Sequence, residues 1–147
     1  MPAFRFTLQK VLDWRQTQLD LEEVQFKKQA AVLAALDRAY LDLQAAAAEA
    51  EAQVRTGRVV DGWDLAALGS FRLHMQAKEK AAAKRIEEDR KALAFQQRVM
   101  LEARRRCRLL ERLKERRAAE WEEANNRELD ELASDSFMAQ WNRRRSL

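Results

Sequence analysis

At 147 residues the chain is long enough for one ordinary domain, yet 35% charged residues, 7% aromatics and three glycines are a poor recipe for a compact globule and suit long solvent-facing helices. The net charge of +4 is modest, and acids and bases are interspersed as on solvated helix faces, which argues against a dedicated nucleic-acid surface. A single cysteine, Cys107, rules out an internal disulfide, and no apolar run approaches the roughly 18 residues that span a bilayer, so a cytosolic chain with no direct membrane insertion is expected.

Pro2 is the only proline, so nothing on backbone grounds forbids helix from Phe4 onward, and the alternating β-branched runs of sheets are missing. An all-α fold follows. Phe4, Arg5 and Phe6 alternate in character, after which Leu8, Val11 and Leu12 take up helical spacing and place a helix start near Thr7. A seven-residue ladder then runs through Leu12, Leu19, Phe26, Leu33, Tyr40, Ala47 and Val54, the spacing that keeps one seam turned to a partner helix. Its companion column reads Arg15, Glu22 and Gln29 before Leu36, Leu43 and Ala50, so the half nearer the N-terminus is underpacked or has another partner. A first arm from about 7 to 56 would reach roughly 75 Å as α-helix. Ala45 to Ala48 would let a partner backbone come close just before its end.

Two of the three glycines, Gly57 and Gly62, fall in the stretch 57–64, which reads as a hairpin bend. Gly57 suits the left-handed position that ends a helix, with Arg55 complementing the helix dipole. Asp61 or Asp64 can cap the next helix. A second arm, about 65–135, repeats the period in Leu65, Ile86, Leu93, Met100 and Cys107, with Leu68, Met75, Ala82, Ala103 and Leu110 as companions. Arg72, Glu79, Asp89 and Gln96 interrupt these columns, and Gly69-Ser70 is a candidate kink. Two helices joined by a short connection pack antiparallel, so 1–147 is expected to form a single antiparallel coiled-coil hairpin with the second helix longer and overhanging. Paired from the bend, the first arm runs out opposite roughly residue 112. Leu113, Trp121, Leu129, Leu132, Phe137, Met138 and Trp141, the last three in a tail at 136–147, are then too many for the first arm to cover. Both arms find their partner within the chain, which predicts a monomer.

One histidine and one cysteine make no metal-ligand cluster, and neither a glycine-rich phosphate loop nor a nucleophile elbow occurs, so no enzyme, metal or cofactor is expected. His74 reads as a helix-surface residue and Cys107 as a small buried hydrophobe. The block Arg104, Arg105, Arg106 and Arg108, continued by Arg112, Lys114, Arg116 and Arg117, is followed by an acidic stretch from Glu120 to Glu131. It surrounds the helix and has no interleaved aromatics, so no nucleic-acid partner is expected; acidic helix neighbours or an acidic protein partner fit it better. Trp63 and Phe71, with Leu68 and Met75, either plug the hairpin or offer anchors to a partner.

The opening Phe4-x-Phe6-x-Leu8-Gln9-x-Val11-Leu12-x-x-Arg15, and the later Leu110-Glu111-x-Leu113-Lys114-Glu115-Arg116 with Glu120 and Leu129-Asp130-Glu131, resemble the FliJ family of flagellar export proteins and its relatives in type III secretion. The resemblance implies a two-helix stalk in the hexameric flagellar export ATPase, coupling that ring to the transmembrane export gate protein and escorting export chaperones. It places the protein in the cytoplasm, held peripherally at the cell membrane by the export apparatus. It implies gate contacts at Trp63, Phe71 and Met75, though Lys78 and Ala82 depart from the small and imidazole-bearing residues expected at the next helical steps. The ATPase-ring contacts would be Arg104, Arg105, Arg108, Arg112, Trp121, Leu129, Leu132, Phe137 and Trp141. A purely structural coiled-coil scaffold or spacer is the alternative, and a nucleic-acid-binding helical protein the third reading.

Overall fold

The computed structural model describes residues 1–57 and 61–147, so the middle of the expected bend, 58–60, lies outside the described residues. Two helices account for nearly all the rest, α1 (Gln9–Thr56) and α2 (Gly62–Arg145), and among the described residues there is no strand. They contact each other as a two-helix hairpin, with α2 much the longer at 84 residues against 48. The chain groups into two compact units, Met1–Leu19 with Glu102–Leu147, and Asp20–Leu101.

In the unit Asp20–Leu101, Glu22 accepts a hydrogen bond from Gln96, Asp37 pairs with Arg90 at 3.8 Å, and Glu51 pairs with Arg72. Earlier residues of α1 meet later residues of α2, which is the antiparallel order. The expected first column is half-buried here from Phe26 to Val54, and so is the companion column from Glu22 to Ala50. Leu68, Met75, Ile86 and Met100 are the buried side chains that α2 supplies to this unit. A seam between only two helices leaves the α1 columns half-buried, so these residues gain only part of the roughly 1.5–3 kcal/mol of full burial. The polar companions are accommodated by matching: Glu22 and Gln96 interrupt facing columns and satisfy each other.

Two seam assignments are corrected. Leu65 is exposed, not interior, and Phe71 takes the inner position in place of Arg72. The guanidinium of Arg72 instead lies outside, on Glu51, which also binds Arg55 at 3.0 Å. A cation desolvated at the seam would forfeit its hydration, whereas a ring placed there loses only apolar contact with water. The alanine run before the end of α1 leaves space: Ala47, Glu51, Phe71 and Met75 line an open groove of about 300 Å³.

In the unit formed by Met1–Leu19 and Glu102–Leu147, Leu12, Leu19 and Cys107 are buried, and the Cys107 thiol donates to Gln16 Oε1 at 3.1 Å. Residues before α1 form a non-helical strap. Gln9 N–H bonds Phe6 O at 3.1 Å, and Thr7 and Leu8 form a turn, so α1 begins at Gln9 and not at Thr7. Among Gln9 to Leu12 there is no acid to complement the dipole; Gln9 bonds Asp13 one turn on.

The helix ends show local chemistry deciding boundaries. Gly57 does not take the left-handed conformation expected of it, and no described glycine has positive φ. In the last turn Thr56 Oγ1 donates back to the carbonyls of Ala52 and Gln53 at 3.0 and 3.2 Å, a second bond on acceptors within the helix. A Cβ at position 57 would stand 3.3 Å from Val54 O, so the close approach still favours glycine. At the start of α2, Asp61 Oδ1 accepts from Asp64 N–H at 2.8 Å while Asp64 Oδ2 faces Asp61 N–H at 3.4 Å, a reciprocal box that fixes the start at Gly62. Asp61→Ala is expected to lower stability by about 1 kcal/mol in urea denaturation, whereas Asp64→Ala, which removes only the longer bond, should cost less. α2 is unbroken through Gly69 and Ser70, and it continues past 135 through the expected tail to Arg145. Nothing in 135–145 breaks a helix, and Arg143, Arg144 and Arg145 complement its C-terminal dipole.

Candidate functional site

With no catalytic constellation in the sequence, the candidate sites are surfaces. Among the described residues no group of three or more His, Cys, Asp or Glu could hold a metal, and no helix is long and apolar enough to cross a membrane.

The first surface lies at the beginning of α2, within the unit Asp20–Leu101. The helix separates the four apolar residues there into two roles. Leu68 and Met75, seven residues apart, face the seam, and Met75 is only 8% exposed. Phe71 is half-buried between them, and Trp63 is 85% exposed. The plug and the anchor are therefore different residues. Met75, expected to reach a partner, is withdrawn into the hairpin, because the seam spacing of 68, 71 and 75 places it inside. Phe71 borders an open groove of about 520 Å³ with Val54, Asp64, Ala67 and Leu68. Leu73, one face away, is an exposed apolar group that the seam period did not mark.

The second surface is the end of α2, in the other unit. Leu113 is half-buried, so it belongs to the hairpin. Trp121, expected to be uncovered, is covered, and the cover is the strap and not a helix. Its indole N–H donates to Pro2 O at 3.1 Å, its ring lies 6.2 Å from that of Phe4 at 50°, and Glu128 stands 3.8 Å from the Met1 amino group. A tilted pair at this distance is a favourable aromatic arrangement. The signal was present in the sequence as Pro2 and the alternating Phe4 and Phe6, which read as extended chain with two rings to bury. Beyond Trp121 the large side chains do lie in water: Leu129, Leu132, Phe137, Met138 and Trp141 are all exposed, Leu132 at 57% and Phe137 at 65%.

The basic block is mostly local. Arg105 and Arg106 both pair with Glu102, at 3.8 and 3.4 Å, while Arg108 and Arg112 are exposed and Arg104 is half-buried. Further along, Arg127 pairs with Glu123. Cys107, at 2% exposure, is the most buried side chain among the described residues, with Glu111 as a second acceptor at 3.6 Å. His74 is exposed. Trp14, exposed with the Arg15 guanidinium 4.7 Å from its ring, is a surface aromatic that the seam period passed over.

The molecule so defined is a two-helix hairpin whose unusual features are exposed apolar and aromatic side chains on helix surfaces. Compared with protein-family models, with curated proteins and with solved structures, the chain matches none.

Proposed function

We propose that the chain is a non-enzymatic component of a bacterial flagellar export apparatus, which couples the export ATPase ring to the export gate and escorts substrate chaperones. The observation that carries this reading is the end of α2, where Leu129, Leu132, Phe137 and Trp141 stand uncovered on a helix of the hairpin. Water-exposed side chains of this size mark an interface, and a ring with a central hole receives a helix on all its faces. The family resemblance supports the same reading through its opening motif: Phe4 and Phe6 are half-buried, and Phe4 packs on Trp121.

In this reading Leu129, Leu132, Phe137 and Trp141 seat in the ring, while Arg108 and Arg112 steer the approach and fix orientation. Trp121 holds the strap and so shapes the contact without making it. At the gate, Trp63 and the exposed edge of Phe71 make the contact, and Met75 supports them from within. The protein then works on the cytoplasmic side of the membrane, held there by its partners.

The test is direct. The purified chain, added to a hexameric flagellar export ATPase, is expected to co-purify with it and raise its rate of ATP hydrolysis, with association slowing as salt is raised. Absence of both binding and stimulation at micromolar concentrations would sink the proposal.

A further inference from the structure

We propose that the exposed end of α2 is also a self-recognition surface, on which a second copy of this chain docks antiparallel. The stripe of α2 that faces the hairpin in its own unit passes through Cys107, Leu110, Lys114 and Trp121, all buried or half-buried. It does not stop where the cover from residues 1–19 ends. At the same three- and four-residue steps it continues through Asn125, half-buried, to Leu129, Leu132, Ser136 and Ala139, all exposed. Beside it the one-turn row Leu129, Ala133, Phe137 and Trp141 widens the apolar face to a packing ridge. The face is a direct extension of an interface already made.

The charges name the occupant. Glu122, Glu123, Glu128, Asp130, Glu131 and Asp135 precede the middle of this segment with Arg127 as the one base among them, and Arg143, Arg144 and Arg145 follow it with no acid after Asp135. A parallel second copy would set acid against acid and arginine against arginine. An antiparallel copy sets each arginine cluster beside the acids from Glu128 to Glu131 of the other chain, and two-fold symmetry makes the contact twice. The same register brings Phe137 near the axis and Trp141 opposite Leu132, so apolar and charged matches coincide. The monomer expected from the seam concerns residues that α1 covers, and this segment is outside that cover. Self-pairing uses the face assigned above to the ring, so the two states exclude each other, and the pair is the form held when no partner is present.

Sedimentation of the full chain, without any export component, tests this apart from the proposed function. A reversible dimer is expected at micromolar concentration, weakening as salt is raised. Phe137→Asp should abolish it. The triple change Arg143→Glu, Arg144→Glu and Arg145→Glu should weaken it about tenfold or more, and adding Glu128→Lys, Asp130→Lys and Glu131→Lys in the same chain should restore it. All these residues are exposed, so circular dichroism should show the helicity of the hairpin kept, apart from fraying of the last turn, where the arginines complement the dipole. A chain that stays monomeric throughout, or a dimer indifferent to either Phe137→Asp or the arginine reversal, overturns the proposal.

Discussion

Met75→Ala is expected to lower the stability of the hairpin by about 2–4 kcal/mol, and Trp63→Ala to leave it nearly unchanged. Met75 is among the most buried side chains of the seam and Trp63 among the most exposed, although both were candidates for one contact. Truncating Met75 removes its packing and leaves a void that two helices held by one seam can close only in part. The lower end of the range applies if Leu68 and Phe71 collapse into the space. Trp63 makes the opposite case. Its removal should weaken export-gate binding, since truncating an aromatic anchor typically costs about 2 kcal/mol or more, while the urea midpoint stays put. Measuring denaturation and gate binding on both variants separates plug from anchor. Normal gate binding by Trp63→Ala would remove this end of α2 from the proposed contact, and a stable Met75→Ala would show that the seam does not depend on that position.

Deleting Asp135 to Leu147 should abolish most stimulation of the export ATPase and leave folding and gate binding intact. The segment contributes Phe137 and Trp141, two exposed anchors, so ring binding should fall by at least about tenfold. The hydrogen bonds of Ser146 within it are local, to Asn142 and Arg143, so the helix that remains keeps its own contacts. Helicity per residue and the melting transition should therefore be close to those of the full chain. Normal stimulation by the truncated protein would show that the terminus does not act in the ring, and joint loss of stimulation, gate binding and cooperative unfolding would point to misfolding.

Much of the fold was legible residue by residue. The ladder from Leu12 to Val54 could be read from spacing alone, because a seven-residue period has one geometric outcome in a helix that must keep a face toward a neighbour. The capping role of Asp61 and Asp64 was legible as well, since they act on amides three residues away and need no tertiary partner, although α2 starts at Gly62 and not near 65. The antiparallel hairpin followed from one short connection between two such periods. Which surface of each helix carries function was less legible, for the period marks the inside and says little of the outside.

Taken by itself, the sequence determined the helices, their period and the presence of more large apolar groups late in the chain than α1 could cover, because these depend on near-neighbour spacing and on length. Only the tertiary structure decided which of those groups are buried. Strap residues far from Trp121 in sequence cover it, Phe71 displaces Arg72 at the seam, and Met75 turns inward while Trp63 stays in water. At the end of α1 the left-handed Gly57 that the sequence suggested is not formed, and the Thr56 hydroxyl bonds back to the carbonyls of Ala52 and Gln53. Burial belongs to pairs of surfaces, and a helical period names only one surface of each pair.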